Sequence, residues 1–356
     1  MEEQAADRSR PVPIGKYTPT PALYGGSEGR LRLRGGPLPA RPTASPYGGA
    51  MHPVSTPLSG RNAVPDCFDY VGDVYRPPGE AHNILIQATV GCSHGACTFC
   101  SGHAGKRFRI KDRAVLEGDL AFAERYCARQ DRVFVIDGNA LTMPTEQWRW
   151  LLESIRARLP WVTGVGSFAT AMDVAAKSGE ELARLRGLGL DRIYMGVESG
   201  LASVLRRIRK GVDPDGLLRQ GRRVKQAGME LQVSLIVGMV NADESMAHAK
   251  ATGELLSAMD PDVVTVLSLL PEPGTRMREE LDRGELVPPD TPGILWELRE
   301  LLRHTNLDGG LFDNSHSTNY LSFQCRLPGE KQAGLDCIDA ALAGAGKIID
   351  NAMRHM

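Results

Sequence analysis

From about residue 83 the chain alternates short apolar runs with amphipathic stretches, and this alternation predicts most of its architecture. The runs NILIQATV, RVFVIDG, VTGVGSFAT, RIYMGVESG, LQVSLIVGM and DVVTVLSLL are rich in β-branched residues and mostly close on glycine or a polar turn, as strands do. Between them, VLEGDLAFAERYCARQ, PTEQWRWLLESIRARLP, GEELARLRGLGL, ASVLRRIRKG with DGLLRQGRRVKQAG, and ESMAHAKATGELLSAMD repeat apolar residues at helical spacing. Six strands separated by helices imply parallel pairing through right-handed crossovers, and near-continuous apolar strands imply burial on both faces. The fold class is α/β, as a doubly wound sheet or an incomplete (β/α) barrel. In either, ligands bind where the strands end at their carboxyl side.

The flanks read differently. Residues 1–80 hold 13 of the 23 prolines and little apolar periodicity, so residues 1–75 are expected to be an extension rather than a packed domain. Residues 76–285 are expected to form the α/β body, and residues 286–356, including ILWELRELLRHT and AGLDCIDAALAGAGKIIDNAMRHM, a helical segment covering it. Net charge is −1 over 356 residues, which gives no pull toward nucleic acid or an anionic membrane and favours a small-molecule substrate. The charged start MEEQAADRSR and the lack of an eighteen-residue apolar run lead us to expect a cytoplasmic protein. Seven cysteines, an odd number unevenly spread, do not form a secreted disulfide framework.

Three of those cysteines carry the chemistry. Cys92, Cys97 and Cys100 lie directly after the first strand as CxxxxCxxC, with Phe99 just before the last. Closed zinc sites take four ligands, whereas a cubane iron–sulfur cluster on three thiolates keeps one iron open for an exogenous ligand. On the same rim the strand-end rule puts Asp137, Gly138 and Asn139 after the second strand, Ser167 to Thr170 after the third, Glu198 to Gly200 after the fourth, Ser234 on the fifth and Leu270 to Gly274 after the sixth. Further along, DNSHSTNYL is dense in hydrogen-bonding groups. If it covers the mouth of the barrel, His316 or Tyr320 would bind substrate or donate a proton. Cys325 is either a hydrogen donor or a buried, inert thiol.

In this order, the cysteine loop, GVESG, RIRKG and PEPGT resemble the radical S-adenosylmethionine (SAM) enzymes over roughly residues 76 to 330. The likeness is to the branch with elongator-type enzymes, methylthiotransferases and oxygen-independent coproporphyrinogen oxidases. Within it, RPPGEAHNILIQATVGCSHGACTFC and NSHSTNYL are similar to a group of stand-alone members. The resemblance implies a partial (β/α)6 TIM-like barrel with an N-terminal extension and a C-terminal helical segment. It implies that Cys92, Cys97 and Cys100 hold one 4Fe–4S cluster whose open iron binds SAM, and that an external one-electron donor such as flavodoxin or ferredoxin reduces it. SAM is then cleaved to a 5′-deoxyadenosyl radical that abstracts hydrogen from substrate. Asp137, Gly138 and Asn139 would meet the SAM amino group, Glu198 the ribose, Lys210 or its neighbour Arg209 the carboxylate. Ser234 and Ser167 are further ribose candidates, with Leu270 and Phe99 against adenine. Two departures stand out: the commonest family spacing is CxxxCxxC, one residue shorter, and Gly102 occupies the place of an additional cysteine in coproporphyrinogen oxidases. Rival readings are transfer of an aminocarboxypropyl group from SAM, and a non-catalytic iron–sulfur or zinc protein.

Overall fold

The computed structural model of the chain describes residues 65, 67–346 and 348–354. Most of the expected N-terminal extension therefore lies outside the described residues. The strands are β1 (Ile84–Gln87), β2 (Thr89–Val90), β3 (Arg109–Ile110), β4 (Arg132–Ile136), β5 (Gly164–Ala169), β6 (Leu190–Glu198), β7 (Glu230–Val237), β8 (Val263–Ser268), β9 (Leu311–Asp313) and β10 (Gln324–Arg326). The helices are α1 (Arg113–Tyr126), α2 (Thr145–Arg158), α3 (Ala171–Ala175), α4 (Gly179–Gly187), α5 (Ala202–Arg207), α6 (Pro214–Gln226), α7 (Ser245–Met259), α8 (Arg276–Asp282), α9 (Thr291–His304) and α10 (Lys331–Leu342). None is long and apolar enough to cross a membrane.

Each of the six apolar runs supplies one strand of an eight-stranded sheet ordered β1-β4-β5-β6-β7-β8-β9-β10. Strand order follows the chain without reversal, so the sheet curls in one direction and is not doubly wound. β1 and β10 are its two edges, and the barrel is open. Pairing is parallel from β1 to β9, while β10 runs antiparallel to β9. The six-strand expectation was short by two because β9 and β10 come from the segment expected to be helical. With three residues each they carry no readable periodicity, and their pairing partners define them. The last expected helix also ends early, at Leu342, where Gly344 (φ 76°) turns the chain left-handed.

Strand sequence explains which side each residue takes. In β4, Val133, Phe134, Val135 and Ile136 are all fully buried, because helices cover one face and the barrel interior the other. β7 alternates: Leu231, Val233, Leu235 and Val237 pack under the helices, leaving Gln232, Ser234 and Ile236 half-buried on the inner face. The interior is filled by a separate aromatic row, Phe134, Phe168 and Tyr194, whose rings meet edge to face at 5.0 and 5.5 Å. Deeper in the barrel, buried Glu80 pairs with Arg192 at 2.7 Å, and Arg192 pairs with Glu230 at 2.8 Å. The described part of the expected extension is ordered against β1. Tyr70 Oη donates to Leu85 O (2.9 Å), and the Val71 N–H donates to Gln87 Oε1 (2.7 Å), which covers the edge strand.

Candidate active site

The cysteine loop leaves β1 through a two-stranded ribbon, β2 against β3, in which Val90 opposes Arg109. Small residues let other elements press on it. A Cβ on Gly138, at the end of β4, would lie 2.4 Å from Gly91 O and 2.7 Å from Cys92 Cα, so only glycine fits there. Asn139 anchors the next residue: its Oδ1 accepts from Ser93 N (2.9 Å) while its Nδ2 donates to Ser93 Oγ (2.7 Å) and to Asp173 (2.9 Å). Asp173 is itself fixed as the third residue of the Thr170 capping box on α3. Thr98 N donates to Ile208 O and Thr98 O accepts from Met277 N, both at 3.0 Å, tying the loop to α5 and α8. His94, within the longer first interval, lies 2.7 Å by its Nε2 from Arg209 O. Four elements thus hold one short loop.

Asp137 shows why the loop sits where it does. Its carboxylate accepts from Gly91 N (3.1 Å) and Gly138 N (3.0 Å) and lies 3.3 Å from Lys106 Nζ and 3.2 Å from His103 Nδ1. The last is an ion-pair distance with poor hydrogen-bond alignment. Burial alone would raise the Asp137 pKa, but His103 beside it and the two N–H groups bring it down to about 2. This carboxylate is saturated by the protein itself.

At the end of β6 the pairing register shifts between Gly196 and Glu198, and Glu198 adopts φ 64°. Such a bulge with a left-handed non-glycine residue re-aims the side chain at a local cost of about 1–3 kcal/mol. Glu198 Oε1 meets Lys210 Nζ at 2.8 Å with both side chains buried. Gly196 makes room, since a Cβ there would lie 2.2 Å from Glu198 Oε1 and 2.8 Å from Lys210 Nζ. Burial alone would lower the Lys210 pKa; the Glu198 carboxylate outweighs it and holds the ammonium charged.

The three thiols are free and within electrostatic reach of one another. Burial pushes Cys97 up to about 11, against the pull of Lys210, and pushes Cys100 up against the Gly102 N–H. Among the described residues no three His, Cys, Asp or Glu side chains already converge as a metal cage, so ligation would require the thiols to turn together and lose their protons. Three soft donors in one clamped loop beside a hollow fit an iron–sulfur cluster with an open position.

That hollow, about 350 Å³, is built at the strand ends from seven expected residues: Phe99, Cys100, Asp137, Gly138, Glu198, Ser234 and Leu270. Its volume is in the range of small-molecule sites. The other expected residues stand behind the wall. Asn139 braces the loop, Lys210 pairs with Glu198, and Ser167 is fully buried with its Oγ donating to Val135 O and Phe168 O at 3.2 Å. Cys92 and Cys97 do not line it. His316 and Tyr320 are not among its lining residues, although their turn bonds to Ser268, which is. Their turn is fastened to β8: Asn319 Nδ2 donates to Val266 O (2.8 Å), its Oδ1 accepts from Ser268 Oγ (2.9 Å), and the Arg354 guanidinium covers the Tyr320 ring at 3.8 Å. Cys325 is buried on β10, and burial pushes its thiol up to about 11.

Phe168 and Glu272, within the expected rim segments 167–170 and 270–274, also line the cavity, as do Tyr75 and His103, which sequence reasoning missed. Tyr75 sits in the stretch expected to be extension, and its ring stands 6.4 Å from that of His103, edge to face. Burial, then the carboxylates of Asp73 and Glu272, push its hydroxyl pKa up.

Residues 86–251 match the family model of the radical SAM superfamily. That segment carries a radical SAM domain. Radical SAM domains bind a 4Fe–4S cluster and SAM. Among curated relatives, an uncharacterized methyltransferase of Pyrococcus horikoshii is 24% identical over 216 residues, covering 58% of this chain and 43% of its own length. The tRNA uridine(34) acetyltransferase of Methanocaldococcus jannaschii is 22% identical over 255 residues, 59% of this chain and 46% of its own. The chain thus matches somewhat less than half the length of either. Solved structures similar to it include methylornithine synthase (TM-score 0.45, 18% identity, 64% of each chain) and coproporphyrinogen III oxidase of Escherichia coli, a radical SAM enzyme (TM-score 0.45, 16% identity, 62% of this chain and 50% of that one).

Proposed function

We propose that Cys92, Cys97 and Cys100 hold the cluster, that SAM lies across the cavity at the strand ends, and that this enzyme abstracts hydrogen from a small-molecule substrate. The observation that carries this is the cavity wall: one thiol of the trio, Cys100, shares it with strand-end residues of β4, β6, β7 and β8. When bound, the reduced cluster supplies the electron that cleaves SAM to methionine and a 5′-deoxyadenosyl radical. The protein's part is positioning and water exclusion. Glu198, aimed inward by its bulge, accepts hydrogen bonds from ribose hydroxyls. Lys210 holds that carboxylate and offers a cation close to Cys97 for the SAM carboxylate. Phe99, Leu270 and Ile236 give an apolar surface for adenine, and Ser234 adds a hydroxyl.

Asp137 serves as a brace for Gly91 and Gly138, and the amino group of SAM would meet the backbone it fixes. Tyr75, Phe168, His103 and Glu272 remain to line the substrate's share of the cavity. Anaerobic reconstitution followed by dithionite reduction with SAM tests the reading. It predicts about four irons and four sulfides per chain and formation of 5′-deoxyadenosine. Methylthioadenosine in its place would establish cleavage of the other S–C bond, and a single tetrahedral zinc with no SAM response would sink the proposal.

A further inference from the structure

A second hollow, of about 570 Å³, opens beside the β2–β3 ribbon and shares no lining residue with the cavity. Its apolar floor is Val71, Val90 and Phe108, and its charged rim is Lys106, Arg107 and Arg109. Lys106 is engaged by Asp137 at 3.3 Å. Arg107 and Arg109 are exposed, and neither side chain has a hydrogen-bond or ion-pair partner among the described residues. Among the described residues no acidic side chain lines the hollow, so a chain of net charge −1 carries a local positive face here. This face lies very close to the cysteine loop. Val90 is two residues before Cys92, and the intervening Gly91 packs so tightly that a Cβ on it would lie 2.9 Å from Lys106 O.

We propose that this groove is the docking surface for an acidic one-electron carrier protein of the flavin or iron–sulfur type, an inference that rests on the reading of the cysteines as cluster ligands. In the step it serves, one electron leaves the reduced carrier, which is left one electron oxidised, and enters the cluster; no atom is transferred. Electron transfer is short-ranged, and the groove offers the approach separated from Cys92 by one residue while leaving the cavity to SAM and substrate. Redox partners dock through small interfaces that dissociate readily, and their encounter is steered by charge, which suits two free arginines around a small apolar floor. A nucleic acid would call for a longer basic stripe than two unpaired arginines.

The test uses the full chain with its cluster reconstituted, reduced either by flavodoxin with NADPH and its reductase or by dithionite, and followed by loss of cluster absorbance. Combining Arg107→Glu with Arg109→Glu is expected to slow reduction by flavodoxin about tenfold or more at low salt, with the wild-type advantage fading as salt rises. Reduction by dithionite and iron content should not change, and the double Lys variant should keep most of the flavodoxin rate. Unchanged flavodoxin reduction in the Glu variant, or an equal loss with Arg206→Glu on α5, would overturn the proposal. So would a Glu variant that is reduced normally but loses binding to tRNA, which would make the face a nucleic-acid surface. Failure of the wild type to assemble a cluster would instead overturn the ligand assignment, and the two failures are distinct.

Discussion

Two polar stretches meet the carboxyl ends of the strands, the cysteine loop after β1 and the NSHSTNYL turn after β9, and both are dense in groups able to bind or react. In the turn those groups are largely spent on the fold. Asn314 donates to Leu321 O, Asn319 bonds to β8 through both ends of its amide, and Thr318 O accepts from Arg354 at 2.5 Å. Around the cysteine loop the braces are equally thorough, but they hold up groups that remain available. Tyr75 Oη and the Glu272 carboxylate have no hydrogen-bond partner among the described residues, and the three thiols are free. Polar density marks both regions alike. What separates a site from a structural knot is whether its donors and acceptors are already satisfied.

Substitutions on the two sides should separate accordingly. Lys210→Met leaves the buried Glu198 charge unpaired, so a loss of about 3–5 kcal/mol in stability is expected, with SAM binding abolished; denaturation and equilibrium dialysis check both. Gly138→Ala should cost about 3 kcal/mol through overlap with Gly91 O and Cys92 Cα, with iron incorporation falling sharply, because the loop must move. On the other side, Asn319→Ala should cost about 2 kcal/mol by leaving buried partners unpaired, while SAM cleavage per folded molecule stays at the wild-type rate. Loss of cleavage in that variant would break the comparison.

Protonation sharpens it further. The folded pKa of Asp137, about 2, is below its ordinary value, so its contribution to stability is complete above about pH 4 and disappears as pH falls toward 2. Asp137→Asn should remove that part of the acid-unfolding curve. Tyr320→Phe, which loses one 3.3 Å bond to Asn351, should cost about 0.5 kcal/mol or less and leave SAM cleavage unchanged.

How much could be read beforehand follows from the same distinction. Six strands were legible because each carries its own apolar, β-branched run, and the cysteine trio because its spacing is local. The open barrel's last two strands were not, since Leu311–Asp313 and Gln324–Arg326 become strands only by pairing with β8 and with each other. Glu198 was legible as a residue, but its left-handed turn and the room that Gly196 leaves for Lys210 were not. Tyr75 and His103 reach the cavity only once distant segments fold together, and no periodicity records that. How the groups around His316 and Tyr320 are spent was not legible either, because residue types give donors and acceptors without giving their partners.

The electron paramagnetic resonance spectrum of the reconstituted, dithionite-reduced protein, recorded before and after adding SAM, tests the central claim most directly. A reduced 4Fe–4S signal that shifts with SAM in the wild type and is absent in Cys97→Ala is the predicted result. A signal indifferent to SAM, or one that survives Cys97→Ala, would contradict it.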